Sequence, residues 1–80
     1  MNRQNLKILQ WNIRGLKVQK QYLEHAIDQI TPNIICLQET HLTPEKQIKI
    51  LKYHKPNRQD RNDRRGGVAI FVQVSIPFTS

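Results

Sequence analysis

The stretch Leu6–His41, LKILQWNIRGLKVQKQYLEHAIDQITPNIICLQETH, decides the fold. Leu6 to Trp11 reads as a strand, Lys17 to Ile30 as a helix and Ile34 to Gln38 as a second strand, which together spell a βαβ unit with two parallel, neighbouring strands. Each strand runs out into a polar residue, Asn12 after the first and Glu39 after the second. The carboxyl ends of parallel strands are where α/β proteins keep their chemistry. An amide and a carboxylate placed there by rigid elements can hold a hard cation such as Mg²⁺ and orient a phosphate, although two residues do not complete such a site.

Around this unit the pattern is readable in pieces. Val18, Tyr22, Leu23, Ala26, Ile27 and Ile30 recur at helical spacing and predict the buried stripe of the helix. The helix must stop before Pro32, whose ring disfavours a helical Thr31. Ile34-Ile35-Cys36-Leu37 is apolar without alternation, as expected of a central strand covered on both faces. Thr43-Pro44-Glu45 combines a capping hydroxyl, a proline at the first position and an acid in the first turn, and predicts a short helix to about Leu51. After a polar stretch, Gly66-Gly67 opens the β-rich run Val68-Ala69-Ile70-Phe71-Val72, limited by Pro77. Tyr53 and its neighbours are expected to pair antiparallel with that run, completing a β-hairpin.

The chain has 80 residues, 38% of them hydrophobic, and one cysteine. A chain this short buries only about 60% of its unfolded surface, so the core is small, and a single small domain or a fragment of a larger one are the two options. No apolar run reaches membrane-spanning length, and Met1-Asn2-Arg3-Gln4 is not followed by a signal-peptide core, which fits an intracellular location. Cys36 excludes an internal disulfide and is expected to act as a small buried hydrophobe. Thirteen Lys and Arg against six Asp and Glu give a net charge of +7, and polyanions are the expected partners. Between Lys52 and Arg65 stand Lys52, Lys55, Arg58, Arg61, Arg64 and Arg65 against Asp60 and Asp63. The stretch is either a solvated face or a phosphate-contacting one, with the basic loop at residues 55–66, and since Tyr53 is the single aromatic between Lys52 and Arg65 it is poorly suited to stacking on bases.

Three ordered motifs carry a family resemblance. Ile8-Leu9-Gln10-Trp11-Asn12-Ile13-Arg14-Gly15-Leu16, Ile34-Ile35-Cys36-Leu37-Gln38-Glu39-Thr40-His41 and Arg65-Gly66-Gly67-Val68-Ala69-Ile70-Phe71 resemble the opening of an endonuclease/exonuclease/phosphatase domain. Among its branches the match is closest to the apurinic-like endonucleases of non-LTR retrotransposons, including the jockey-like elements. The resemblance covers nearly the whole chain. It implies residues 1–80 as the N-terminal fragment of an α/β, DNase I-like two-sheet sandwich, here a βαβ unit plus β-hairpin of an incomplete domain. It also implies Mg²⁺-dependent, or Mn²⁺-dependent, phosphodiester cleavage that nicks target DNA in the nucleus for a reverse transcriptase. Glu39 matches the family's metal-binding glutamate, and Asn12 the asparagine that arranges the active site around the scissile phosphate. The family's tyrosine, its Asp-x-Asn motif and its late Asp-His pair belong to sequence beyond residue 80, and His25, His41 and His54 do not stand in the place of that late histidine. The implied chain is therefore inactive by itself.

Each chosen residue also has a plainer reading. Glu39 could bond nearby backbone amides, and Asn12 could form a turn before Gly15. Trp11 is expected to fill core. Arg14 either reaches a phosphate or is simply exposed. Gln38 and Thr40 fix the loop by hydrogen bonds, His41 is structural or solvated, and the double glycine makes the turn into its strand or admits a close backbone approach. The expected DNA contacts are Arg14, Lys55, Arg58, Arg61, Arg64 and Arg65. Two alternatives to the nuclease fragment stand: a phosphatase or lipid phosphodiesterase of the same superfamily, against which the charge argues, and a non-catalytic nucleic-acid-binding or inert relic polypeptide.

Overall fold

The computed structural model describes residues 6–60 and 66–74. The elements run β1 (Ile8–Asn12), α1 (Leu16–Ile30), β2 (Ile34–Gln38), β3 (Asn57–Gln59) and β4 (Val68–Val72). They form one four-stranded sheet in the order β1-β2-β4-β3. The βαβ reading holds: β1 and β2 are parallel, with Ile8 opposite Ile34 and Asn12 opposite Gln38. β4 lies antiparallel on the far side of β2, with Gln38 opposite Val68, a pairing the sequence reading did not contain. The hairpin partner of β4 is β3, and Tyr53 and its neighbours pair antiparallel at the far end of β4, through the Tyr53–Gln73 bridge with the His54 N–H donating to Val72 O at 2.8 Å and the Val74 N–H to Lys52 O at 3.0 Å.

One face of the sheet is packed. Leu9 and Trp11 from β1, Ile35 and Leu37 from β2, and Ala69 and Phe71 from β4 share it by register. They meet Leu16, Leu23 and Ile27 of α1 and Ile13, Leu42, Ile48, Ile50 and Tyr53 of the connections. The opposite face carries Ile8, Ile34, Cys36, Val68, Ile70 and Val72, of which Ile8, Val68 and Ile70 are exposed. β2 is thus central, as expected, but its apolar run is covered on one face only, and Cys36 is half-buried. Trp11 packs against the core.

Two further expectations are corrected. α1 turns Leu16, Leu23 and Ile27 inward and leaves Val18, Tyr22 and Ile30 exposed. Its register is pinned at the start, where the Gly15 and Leu16 N–H groups donate to the carbonyls of Glu39 and Thr40. Leu16 is thereby fixed in the core, and Leu23 and Ile27, about two and three turns further on, fall on the same face. No helix forms between Thr43 and Leu51. The Thr43 hydroxyl donates to Glu45 Oε1 at 2.7 Å instead of accepting from the backbone, and only the Lys46 N–H to Thr43 carbonyl turn closes. Ile48 and Ile50 both pack inward while Lys49 and Leu51 are exposed, a period of two that an extended chain satisfies and a helix does not.

Tyr53 bolts this long connection to the βαβ unit. Its hydroxyl donates to the Pro32 carbonyl at a buried position, and its N–H donates to Ile50 O at 3.1 Å. Burial raises the Tyr53 phenol above its ordinary value of 10.0. A raised folded value means that the neutral phenol stabilises the fold fully below about pH 10 and that this contribution is lost as pH rises above it. Tyr53→Phe should lower stability by about 1–3 kcal/mol, because the Pro32 carbonyl is left buried without its donor. It should also flatten the fall in stability above pH 10, which urea titrations of both proteins at pH 8 and 10.5 measure.

Candidate functional site

Because β1 and β2 are parallel and in register, Asn12 ends one strand and Glu39 follows the other at the same edge of the sheet. Asn12 Nδ2 donates to Glu39 Oε2 at 2.6 Å. The amide thereby holds the carboxylate in one orientation, a charge-assisted bond of the stronger kind. His41 Nε2 lies 3.9 Å from Glu39 Oε1, with both side chains about two-fifths exposed.

The backbone under Glu39 is unusual for its residue types. Glu39 and His41 have φ of 54° and 56°, and Arg14, on the facing turn, has φ of 50°. Such left-handed conformations cost about 1–3 kcal/mol each and persist only where the surroundings over-determine them. Here they do. On one side Ile13, Gly15 and Leu16 donate their N–H groups to the carbonyls of Gln38, Glu39 and Thr40, each at 2.9 Å. On the other side the N–H groups of Thr40 and His41 donate to the carbonyls of Gly67 and Gly66, at 3.2 and 2.9 Å. The first turn of α1 has no side-chain cap, because strand-end carbonyls take the place of one.

The other sequence-nominated residues are dispersed. Arg14 is exposed two residues past Asn12 and makes no hydrogen bond or ion pair with the described residues. Lys55 is exposed but lies away from this edge, since Tyr53 is level with Gln73, whose N–H bonds Asn33 just before β2. The guanidinium of Arg58 is occupied. It grips the Asp60 carboxylate through Nε at 3.2 and 2.9 Å and Nη2 at 2.7 Å, and donates to the carbonyls of Lys46 and Thr43. It ties the long connection to β3. Arg61, Arg64 and Arg65 lie outside the described residues.

Thr40 does fix the loop, through its main chain, whereas its hydroxyl is buried without a partner among the described residues. From sequence the double glycine reads as a turn or a close backbone approach, and nothing local names its partner. Its contact with Thr40 spans 27 residues, and the only local signal was Gly-Gly ahead of a β-rich run.

Oxygen donors suit a hard cation. Among the described residues no group of three or more His, Cys, Asp and Glu gathers, so Glu39 and Asn12 offer at most part of a ligand set. That is compatible with Mg²⁺, which keeps several waters and takes one or two carboxylates. No helix among the described residues is long and apolar enough to cross a membrane.

The chain is similar to proteins that act on nucleic acid. Over 38 residues it is 42% identical to the DNA-(apurinic or apyrimidinic site) endonuclease 2 of Xenopus laevis, covering 48% of this chain and 7% of that protein. The fold superposes on the Neisseria 3' phosphatase bound to a product DNA hairpin with a TM-score of 0.75 at 25% identity, over 85% of this chain and 27% of that one. It superposes on the Xenopus laevis APE2 catalytic domain with a TM-score of 0.69 at 31% identity, over 88% and 24%. The 3'-5' exonuclease of Neisseria meningitidis gives a TM-score of 0.71 at 25% identity, over 84% and 27%. The chain therefore spans about a quarter of the length of these solved relatives, and its four-stranded sheet and helix correspond to the N-terminal part of a DNase I-like fold. Residues 9–80 match the endonuclease/exonuclease/phosphatase family, and with the strand-end pair of Asn12 and Glu39 in place the chain belongs to that family.

Proposed function

We propose that the chain supplies the Asn12–Glu39 corner of a divalent-metal-dependent DNA phosphodiesterase, of the endonuclease type found in non-LTR retrotransposons, and that it does not cleave DNA by itself. The observation that carries this is the 2.6 Å bond from Asn12 Nδ2 to Glu39 Oε2 at the carboxyl ends of two parallel strands. Glu39 would hold Mg²⁺ or Mn²⁺ through its carboxylate, where the ion supplies charge to offset that developing on the phosphate. Asn12 keeps one carboxylate oxygen engaged and so fixes the orientation in which the other is offered. Its own carbonyl oxygen stays available to a water or a phosphate-bound ligand. The group that activates water is expected from sequence not present in this chain. The three motifs that bracket Asn12, Glu39 and Gly67 support the retrotransposon branch. The similarity to the Neisseria 3' phosphatase supports a second reading in which the group removed is a terminal 3' phosphate on DNA.

The net charge of +7 supports a polyanionic substrate, and with Arg58 engaged internally the nominated cations that stay exposed are Arg14, beside the Asn12–Glu39 edge, and Lys55, away from it. Each phosphate contact on duplex DNA contributes about 0.9 to the slope of log affinity against log salt. Arg14→Gln and Lys55→Gln should each flatten that slope by about that amount. Arg58→Gln should leave the slope unchanged and lower the urea midpoint. Fluorescence anisotropy with a labelled duplex between low and moderate salt measures this, and a slope indifferent to Arg14 and Lys55 would return both to a solvated surface. Nicking of supercoiled plasmid in the presence of Mg²⁺ tests the catalytic part. No cleavage is expected from the 80 residues, and cleavage that copurifies with them and disappears in Glu39→Gln would overturn the fragment reading.

A further inference from the structure

We infer that Gly67 is a positioning residue for Glu39, acting through Thr40, and that the absence of a side chain at position 67 sets the geometry of the cation site. The inference deepens the reading of Glu39 as a cation ligand and rests on it. Thr40 is 1% exposed and follows Glu39 directly. Its main chain is held from both sides: the carbonyl accepts from Leu16 N–H at 2.9 Å, and the N–H donates to Gly67 O at 3.2 Å. Its side chain meets the same glycine. A Cβ at position 67 would stand 2.7 Å from Thr40 Oγ1, closer than real contacts allow, and 3.4 Å from the Gln59 carbonyl. Thr40 Oγ1 is fully buried, so it has nowhere open to retreat.

Gly67 also has φ of 89°, which L side chains rarely adopt. Any substitution therefore pushes on Thr40, whose chain neighbours on both sides are strained, Glu39 with φ of 54° and His41 with φ of 56°. A shift of Thr40 is carried on one side directly into Glu39. Displacing it would lengthen the Asn12 to Glu39 bond that orients the carboxylate. The double glycine is thus a back-stop for the cation ligand as well as a turn into β4.

The test uses the 80-residue chain labelled with ¹⁵N and titrated with Mn²⁺, whose paramagnetism broadens amide signals close to even a weak site. In the unmodified chain the amides of Asn12, Glu39, Thr40 and His41 should broaden first, and Glu39→Gln should abolish that selectivity. Gly67→Ala should move the Mn²⁺ midpoint by about tenfold, the scale expected when a supporting partner of a metal ligand is lost, while the dispersed signals of the sheet remain. Thr40→Ala/Gly67→Ala should recover most of the shift, because the offending contact is gone although the strain at position 67 stays. If Gly67→Ala loses its dispersed spectrum, recovery of dispersion and of Mn²⁺ selectivity in the double variant supports the inference, and failure to recover either overturns it. An unchanged midpoint in Gly67→Ala, with Glu39→Gln behaving as stated, overturns the inference and leaves the reading of Glu39 intact. Selective broadening that persists in Glu39→Gln overturns the site and the inference together.

Discussion

Phe71→Ala should abolish the cooperative unfolding of the 80-residue chain. Phe71 is fully buried on the packed face of β4, opposite Ile35 of β2, and is the largest fully buried side chain among the described residues. Truncating a buried phenylalanine costs about 3–5 kcal/mol. A single core in a chain of this size supplies about 3–5 kcal/mol in all, and here no disulfide adds to it. The substitution therefore removes roughly the whole margin. Ile70→Ala is the informative contrast. Ile70 sits next to Phe71 on the half-open face and is exposed, so its loss should cost under about 1 kcal/mol. Urea titration followed by circular dichroism separates the two. Equal costs at positions 70 and 71 would contradict the one-sided core.

Glu39→Gln should remove most Mg²⁺-dependent nicking in a complete domain, made by joining this chain to the remaining three quarters or so of a matched nuclease. The amide keeps the shape of the side chain and deletes the charge that binds a hard cation. A Lewis-acid contribution of several kcal/mol is then lost, and about 3 kcal/mol is already roughly a hundredfold in rate. Asn12→Ala should slow cleavage less, with a smaller effect on the Mg²⁺ dependence, because it releases the carboxylate from its 2.6 Å bond without removing its charge. Wild-type rates in Glu39→Gln would sink the assignment of Glu39. Equal loss of rate and of Mg²⁺ dependence in both variants would mean that Asn12 is itself a ligand.

What could be read in the sequence divides along the range of the interactions involved. β1, α1 and β2 announced themselves because their periodicity is local, and Pro32 marked the helix end within one residue. The strand-end pair was legible for the same reason, since parallel neighbouring strands must bring Asn12 and Glu39 to one edge. The rotation of α1 was not. Val18 and Tyr22 stand at helical spacing just as Leu23 and Ile27 do, and what selects the buried stripe is a set of hydrogen bonds from Gly15 and Leu16 to residues 24 positions away. The helix expected from Thr43-Pro44-Glu45 gave way to contacts of the same long-range kind: Arg58, 15 residues on, shares the Thr43 carbonyl with the Lys46 N–H and takes the Lys46 carbonyl as well. Composition counted Arg58 among the cations for DNA, and only the fold shows that Asp60 and two carbonyls hold it. The role of Gly67 depends wholly on where Thr40 comes to rest, which no local pattern encodes.

Crystals of a domain containing this chain, grown with Mn²⁺ and measured at the manganese absorption edge, test the central claim most directly. The expected result is an anomalous peak within coordination distance of the Glu39 carboxylate at the carboxyl ends of β1 and β2, with Asn12 still bonded to that carboxylate. An anomalous peak elsewhere with Glu39 uninvolved, or a Glu39 side chain turned away from Asn12 when the ion is bound, would contradict it.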